Sequence, residues 1–516
     1  MRSTLALVAL LSACGVAERP VHPPHEPLRQ EIRPTDTNVA QMFRFDPGDA
    51  VERYGLDGGE FVVHFTRAGR NAVPRADRND SGVPDFVEDV ASIYEDVAVT
   101  YQQQWGFRIA ERDDAVANNG GDGRFDVYLL DFGGNADGAF RTDECTSPSR
   151  ERCIGYMVQE NDFSGYGYPS LTEAVKILAS HEYFHATQAA YDANQDVVVS
   201  EGTAVWATER YDPASSDFEN YVRAYLACVD RSIDSVPPGP VPPSAYGTAL
   251  FFRFLSEKHG DDIVRQLYER LENGRGDPSE PANQADPTWL VQTDALLKTR
   301  YQSSFAEAFE TFASWNLFTG PAADPMKAWR DGASYGAPAS TAVTLPFRLF
   351  PMRVFYASTQ YFRVPTSGRA SLRVELFDDP ELPGDETQGV VLVAALRSGG
   401  RNLEVKRVTA PLDTSATDEV IVAVINPARS GTGAVLSKRP GLCIGSDAEV
   451  TACRSMTMTT PDAGPVEPPA DAGVTLPSTT EPELPAARPG CGCGMEPPLA
   501  PFLLLALLAL SRTRRP

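Results

Sequence analysis

ILASHEYFHATQAAYDANQDVVVSEGTAVWATE, residues 177–209, is the stretch on which the fold of this chain turns. His181 and His185 are four apart, so on a helix their imidazoles project from one face one turn apart, as two ligands converging on one metal must. Glu182 stands beside the first of them, where its carboxylate can take a proton from a metal-bound water without being a ligand. That is HExxH, the pattern of metal-assisted hydrolysis. Leu171, Ala174, Val175 and Leu178 lead into the histidines along one apolar face, which predicts a helix over 171–190. The blander alternative is two histidines satisfied within a core.

A tetrahedral zinc site needs a third protein ligand and leaves its fourth position to water. The metzincin pattern asks for glycine at 188 and histidine at 191, and Gln188 and Tyr191 exclude it. Downstream, Ser200-Glu201-Gly202-Thr203-Ala204-Val205-Trp206 resembles the second helix of gluzincin peptidases, with Ser200 placed to cap it. The resemblance implies Glu201 as the third zinc ligand, with Glu209 as the runner-up and plain surface exposure as the alternative for both. Where some gluzincins carry an aspartate that orients a histidine ligand, this chain has Val205, so that partner is not legible. Residues 244–255 (SAYGTALFFRFL) resemble the later gluzincin helix, which implies that Tyr246 donates to the oxyanion; simple packing is the alternative.

Upstream lies ADRNDSGVPDFVED, residues 76–89. Asp77, Asn79, Ser81, Asp85 and Glu88 fall at ligand positions of a calcium loop, Val83 can offer its backbone carbonyl, and Gly82 sits where the loop turns sharply. The expectation is an isolated calcium loop, with an Asx turn as the alternative.

The whole chain has 516 residues, enough for two or three folded units. With 46 Lys+Arg against 70 Asp+Glu the net charge is −24, which would repel a phosphate backbone and excludes nucleic acid as a partner. Residues 1–14 (MRSTLALVALLSAC) read as a secretory signal, and Leu11-Ser12-Ala13-Cys14 resembles a bacterial lipobox that would make Cys14 the lipidated first residue. At the other end Cys491-Gly492-Cys493-Gly494, an apolar run from Leu499 to Leu510 and then Arg512, Arg514 and Arg515 resemble the myxobacterial C-terminal sorting signal, clipped by a sorting protease near the cysteine. A plain membrane anchor over 491–516 is the alternative. Either way the body is expected outside the cytoplasm, at the cell surface or outer membrane, where Cys145 with Cys153 and Cys443 with Cys453 should form disulfides. Cys228, left over, is expected as a buried thiol.

Between the ends the expected layout is α+β. A leader or propeptide-like segment spans 15–55 and a zincin-like domain 56–335, with strands at Phe61–Phe65 and Phe125–Leu130 and a helix from Phe86 to Gln104. Helices follow at Glu201–Arg210, Phe218–Asp230, Tyr246–Lys258, Asp262–Leu271 and Phe305–Leu317. Short alternating runs over 340–455 predict a β-sandwich. Residues 457–490, with eight prolines and no aromatic residue, read as a disordered stalk. The strand, the GVPD loop, HEYFH and the SEGTA helix together resemble a zinc metalloprotease family of myxobacterial surface proteins over residues 60–270. Membership implies peptidase activity, and with the terminal signals the expectation is a secreted, surface-retained endopeptidase acting on a protein or peptide. In it Zn2+ sits on His181, His185 and Glu201, with Glu182 as general base. The rival is a stalked adhesion protein that keeps the fold without turnover.

Overall fold

The computed structural model describes residues 32–455, apart from 38–40, 42, 115, 117, 135, 146–151, 216, 236–240, 273–287, 379–384 and 430–436. The expected signal and Cys14, the stalk, and the segment carrying Cys491 and Cys493 lie outside the described residues.

The fold is α+β. Its first sheet has the order β1 (Glu52–Tyr54), β2 (Phe61–Phe65), β3 (Phe125–Leu130), β5 (Cys153–Glu160), β4 (Gly138–Cys145), with β2, β3 and β5 parallel and the two edge strands antiparallel. Alternate residues Phe61, Val63, Phe65, Val127, Leu129 and Met157 face the core shared with helices α1 (Asp85–Val99) and α2 (Leu171–Ala189). Tyr128, Leu130, Tyr156 and Val158 face the other way and are covered by Phe45. Both faces are buried, so FVVHF in β2 shows no polar alternation.

The outer face also buries Arg33, whose guanidinium meets Asp113, Asp126 and Asp143 at 2.8, 2.9 and 2.7 Å. Asp126 in turn holds His64 at 2.6 Å. Arg33, Phe45 and β1 thus belong to the fold, although the sequence reading left them in a leader ending at residue 55.

The starts of the first three helices have local causes. Pro84 precedes α1, with Asp85 and Glu88 in the first turn to meet the positive end of the helix dipole, and π-helical turns carry it on through Thr100–Gln104. Ser170 caps α2 by accepting the Glu173 amide at 3.1 Å. Helix α3 (Val197–Tyr211) is capped by Asp196, which accepts the Val198 amide at 3.0 Å. Ser200 is therefore inside the helix, which corrects its expected role as the cap. After α4 (Asp217–Leu226), the helix expected from Tyr246 splits into α5 (Pro243–Tyr246) and α6 (Ala249–His259). Helices α7 (Asp262–Leu271), α8 (Trp289–Arg300) and α9 (Phe305–Trp315) complete the layer.

From residue 340 two sheets pack face to face. A five-stranded sheet is centred on Glu419–Asn426, between Ser358–Pro365 and Val391–Ser398, and a four-stranded one on Ser371–Phe377 and Gly441–Gly445. Phe362, Val364, Leu372, Val374, Val420, Val422, Leu442 and Ile444 form their shared core. The opposite face of the central strand, Ile421, Ala423 and Ile425, packs with Tyr361 and Val393 against the helices. The Tyr361 hydroxyl donates to the Ala313 carbonyl of α9 at 2.8 Å.

Both expected disulfides are closed, Cys145–Cys153 across the β4–β5 hairpin and Cys443–Cys453 beside the four-stranded sheet. Cys228 is buried but disulfide-bonded, which corrects the expected thiol. No helix among the described residues is long and apolar enough to cross a membrane.

Candidate metal centre

One turn of α2 sets the His181 and His185 rings 5.0 Å apart on the side turned toward α3. Glu201 reaches them from α3, with Oε2 3.2 Å from His181 Nε2 and 3.5 Å from His185 Nε2. Bonds of about 2.0–2.1 Å at tetrahedral angles put ligand atoms about 3.3 Å apart, and the two spacings from Glu201 to the histidines are those of ligands sharing one zinc-sized ion. Among the described residues this is the one group of three such side chains with all ligand atoms within 4.8 Å of one another. Two imidazoles and a carboxylate also suit zinc chemically.

The electrostatics already favour a cation here. Burial opposes charge on both groups, yet Glu201 raises His185 to about 9, and His185 with His181 holds Glu201 down to about 2. Without an ion His185 holds a proton beside the ionised Glu201 carboxylate, and a divalent cation would take that proton's place.

The approach of α3 depends on Gly202. A Cβ there would stand 2.3 Å from Thr248 Oγ1 and 3.0 Å from the Phe252 ring, so only glycine lets α3 cross α6 at this distance. The same crossing brings in Tyr246, whose ring centre lies 6.1 Å from that of His181 and 5.2 Å from that of Tyr221. Burial, then the Glu201, Glu182 and Asp137 carboxylates, push the Tyr246 phenol up, which keeps it protonated and able to donate.

Glu182 points toward the edge of the sheet, where its Oε2 accepts the Phe140 amide of β4 at 2.9 Å. Glu209, the alternative ligand, is instead held by Arg253, with both carboxylate oxygens at 2.6 Å from Nη1. His64 lies on the far face of the sheet with Asp126.

Three neighbours of the centre had no signal in the sequence. Asp137 is buried just before β4, accepts the Tyr168 hydroxyl at 2.5 Å, and is raised by burial to about 6. Asp217, at the start of α4, lines a water-sized cavity together with His181. Lone aspartates so far from HExxH have no spacing rule to betray them. Gln188, read only as a departure from metzincins, has its Oε1 2.8 Å from His185 Nδ1.

In the loop before α1, Gly82 takes a φ of +86°, the left-handed turn expected of it. The Asp77 carboxylate accepts the amides of Ser81 and Gly82 at 3.0 and 2.9 Å, and Asn79 Nδ2 donates to Glu88 at 2.9 Å. Ser81 Oγ donates to the Val83 carbonyl at 3.2 Å, and Asp85 is held by Arg78 at 2.6 Å. These oxygens are engaged with one another and with backbone amides.

No family model and no curated protein matches the chain. Among solved structures, aminopeptidase A of Legionella pneumophila in complex with aspartic acid aligns with a TM-score of 0.29 and 12% identity, over 74% of this chain and 36% of that one. The chain therefore spans about a third of that protein's length. A likeness at this level carries no functional weight, so the functional reading rests on the site.

Proposed function

We propose that the chain is a zincin-type zinc endopeptidase, exported and held at the cell surface. The observation that carries this is the placing of Glu201 Oε2 within 3.5 Å of both Nε2 atoms, with Glu182 beside the first histidine. Zinc, when bound, supplies a water acidic enough to ionise near neutral pH and polarises the scissile carbonyl. His181, His185 and Glu201 hold the ion. Glu182 takes the proton of the attacking water on its carboxylate and delivers it to the leaving amine. The Phe140 amide orients that carboxylate. The Tyr246 hydroxyl donates a hydrogen bond to the developing oxyanion and keeps its proton.

A surface adhesion protein on the same fold would have no need of Glu182 next to the metal, and this favours the enzyme. The purified full chain should carry about one zinc and digest an unfolded protein until a strong chelator is added. Undiminished cleavage after complete loss of metal would overturn the mechanism. Intact-mass measurement of the native protein reads the mature termini, and with them the lipobox and the sorting signal.

We also propose calcium for the loop of Asp77, Asn79, Ser81, Val83, Asp85 and Glu88. The left-handed Gly82 favours it, since this is the turn a calcium loop requires at that position.

A further inference from the structure

The two ring nitrogens of His185 face different partners. Nε2 is turned to Glu201, and Nδ1 lies 2.8 Å from Gln188 Oε1, three residues further along α2. Which atom of the Gln188 amide faces the ring is decided on its other side. Nε2 of Gln188 is 2.8 Å from the Ser200 backbone carbonyl and 3.0 Å from Thr203 Oγ1. A backbone carbonyl only accepts, so the amide nitrogen must face it; the flipped amide would press two carbonyl oxygens together.

Thr203 confirms the direction. It gives its own proton to the Val199 carbonyl at 2.7 Å and is left as an acceptor, for Gln188 and for the Tyr268 hydroxyl at 2.8 Å. Gln188 Oε1 therefore faces His185 as an acceptor, and Ser200 Oγ donates to it as well, at 3.0 Å. His185 must then carry its proton on Nδ1, which leaves the Nε2 lone pair for the ion. Gln188, Thr203 and Tyr268 are all buried, where an unmade hydrogen bond is costly.

We propose that Gln188 is a positioning residue of the metal centre, locking His185 in its Nδ1–H form and holding the ring so that Nε2 meets the ion. The anchor for this comes from α3 through Ser200 and Thr203, while position 205, where a gluzincin-type aspartate would stand, holds Val205. The inference rests on the metal-centre reading and goes beyond it.

The test is zinc affinity of the full chain, by competition with a chromophoric chelator, for wild type, Gln188→Met, Thr203→Val and Thr203→Ser, with unfolding midpoints of the metal-free forms recorded alongside. Methionine matches the volume without an acceptor for His185, valine at 203 removes the hydroxyl that anchors the amide, and serine at 203 keeps it. The Met variant should bind zinc about 10–100-fold more weakly while its metal-free form still unfolds cooperatively at a somewhat lower midpoint, and the Thr203→Ser variant should bind zinc as wild type does. Thr203→Val, which loosens the amide without removing it, should give a smaller loss in the same direction and serves if the Met variant does not fold. A Met variant that binds as tightly as wild type, a Ser variant as weak as Val, or an unaffected Val variant overturns the inference alone. A wild type that binds no zinc overturns the metal-centre reading and the inference with it.

Discussion

The amide of Phe140 donates to Glu182 Oε2 at 2.9 Å, tying the edge strand β4 to the carboxylate that adjoins the first histidine of the metal centre. Glutamine at 182 can keep that bond through its carbonyl but cannot accept a proton. Glu182→Gln should therefore retain zinc, measured by elemental analysis, and lose about 10²–10⁴-fold in kcat/KM on an unfolded protein substrate. Turnover at the wild-type rate would remove Glu182 as the base.

Gly202→Ala places a methyl group 2.3 Å from Thr248 Oγ1, against a helix that cannot retreat without moving Tyr246. The variant should lose about 1–3 kcal/mol by denaturant titration, as overpacked cores do. Zinc affinity should fall as well, because Glu201 is the neighbouring residue. A drop in stability with unchanged zinc affinity would show that the α3–α6 crossing does not set the ligand position.

Asp113, 3% exposed beside Arg33, is raised from 3.8 to about 6, first by burial and against the pull of the guanidinium. Its folded pKa exceeds its unfolded one, so the native state binds the extra proton between these values. Its contribution is favourable at low pH and is lost as pH rises from about 4 to about 6. An asparagine in its place would still accept from Arg33, which keeps Asp126 and Asp143 as charged partners. Asp113→Asn should thus be the more stable protein at pH 8, by on the order of 2 kcal/mol, and lose that advantage by pH 4. Equal stability curves across this range would contradict the assignment.

Calcium should stabilise the wild type as its concentration passes the dissociation constant, by about 2–3 kcal/mol at 100-fold excess, read as a rise in the unfolding midpoint. Asp77→Ala should abolish that rise and leave zinc stoichiometry alone. An identical calcium response in the variant would leave Asp77 as the acceptor of an Asx turn on Ser81 and Gly82.

The parts that were legible in the sequence are those with local causes. The apolar stripe leading to His181 and His185 gave α2 to within a residue, and α7 came out as read. Helix α8 escaped because Trp289 through Leu297 are buried all round and leave no polar stripe to set a period. The cap of α3 was misplaced because Asp196 and Ser200 are both good capping residues and only the chain path between the helices chooses Asp196. Arg33 was unreadable for another reason: its partners Asp113 and Asp126 are 80 and 93 residues away, and an ion pair across that distance has no local signature. Gln188 lay in plain view three residues past His185, but its meaning depends on the carbonyl of a residue on another helix.

The strand Glu419–Asn426 is apolar toward both its partner sheet and the helical layer, and this bears on how the molecule comes apart. A fragment ending at residue 335 would bare the surface that receives Ile421 and Ile425, and one beginning at 56 would also lack Arg33 and β1. Heating should then melt the helices and the sandwich in one transition, with calorimetric and van't Hoff enthalpies in agreement. Damage far out in the sandwich, such as a proteolytic nick, would be felt at the histidines as a loss of the frame that keeps them in register.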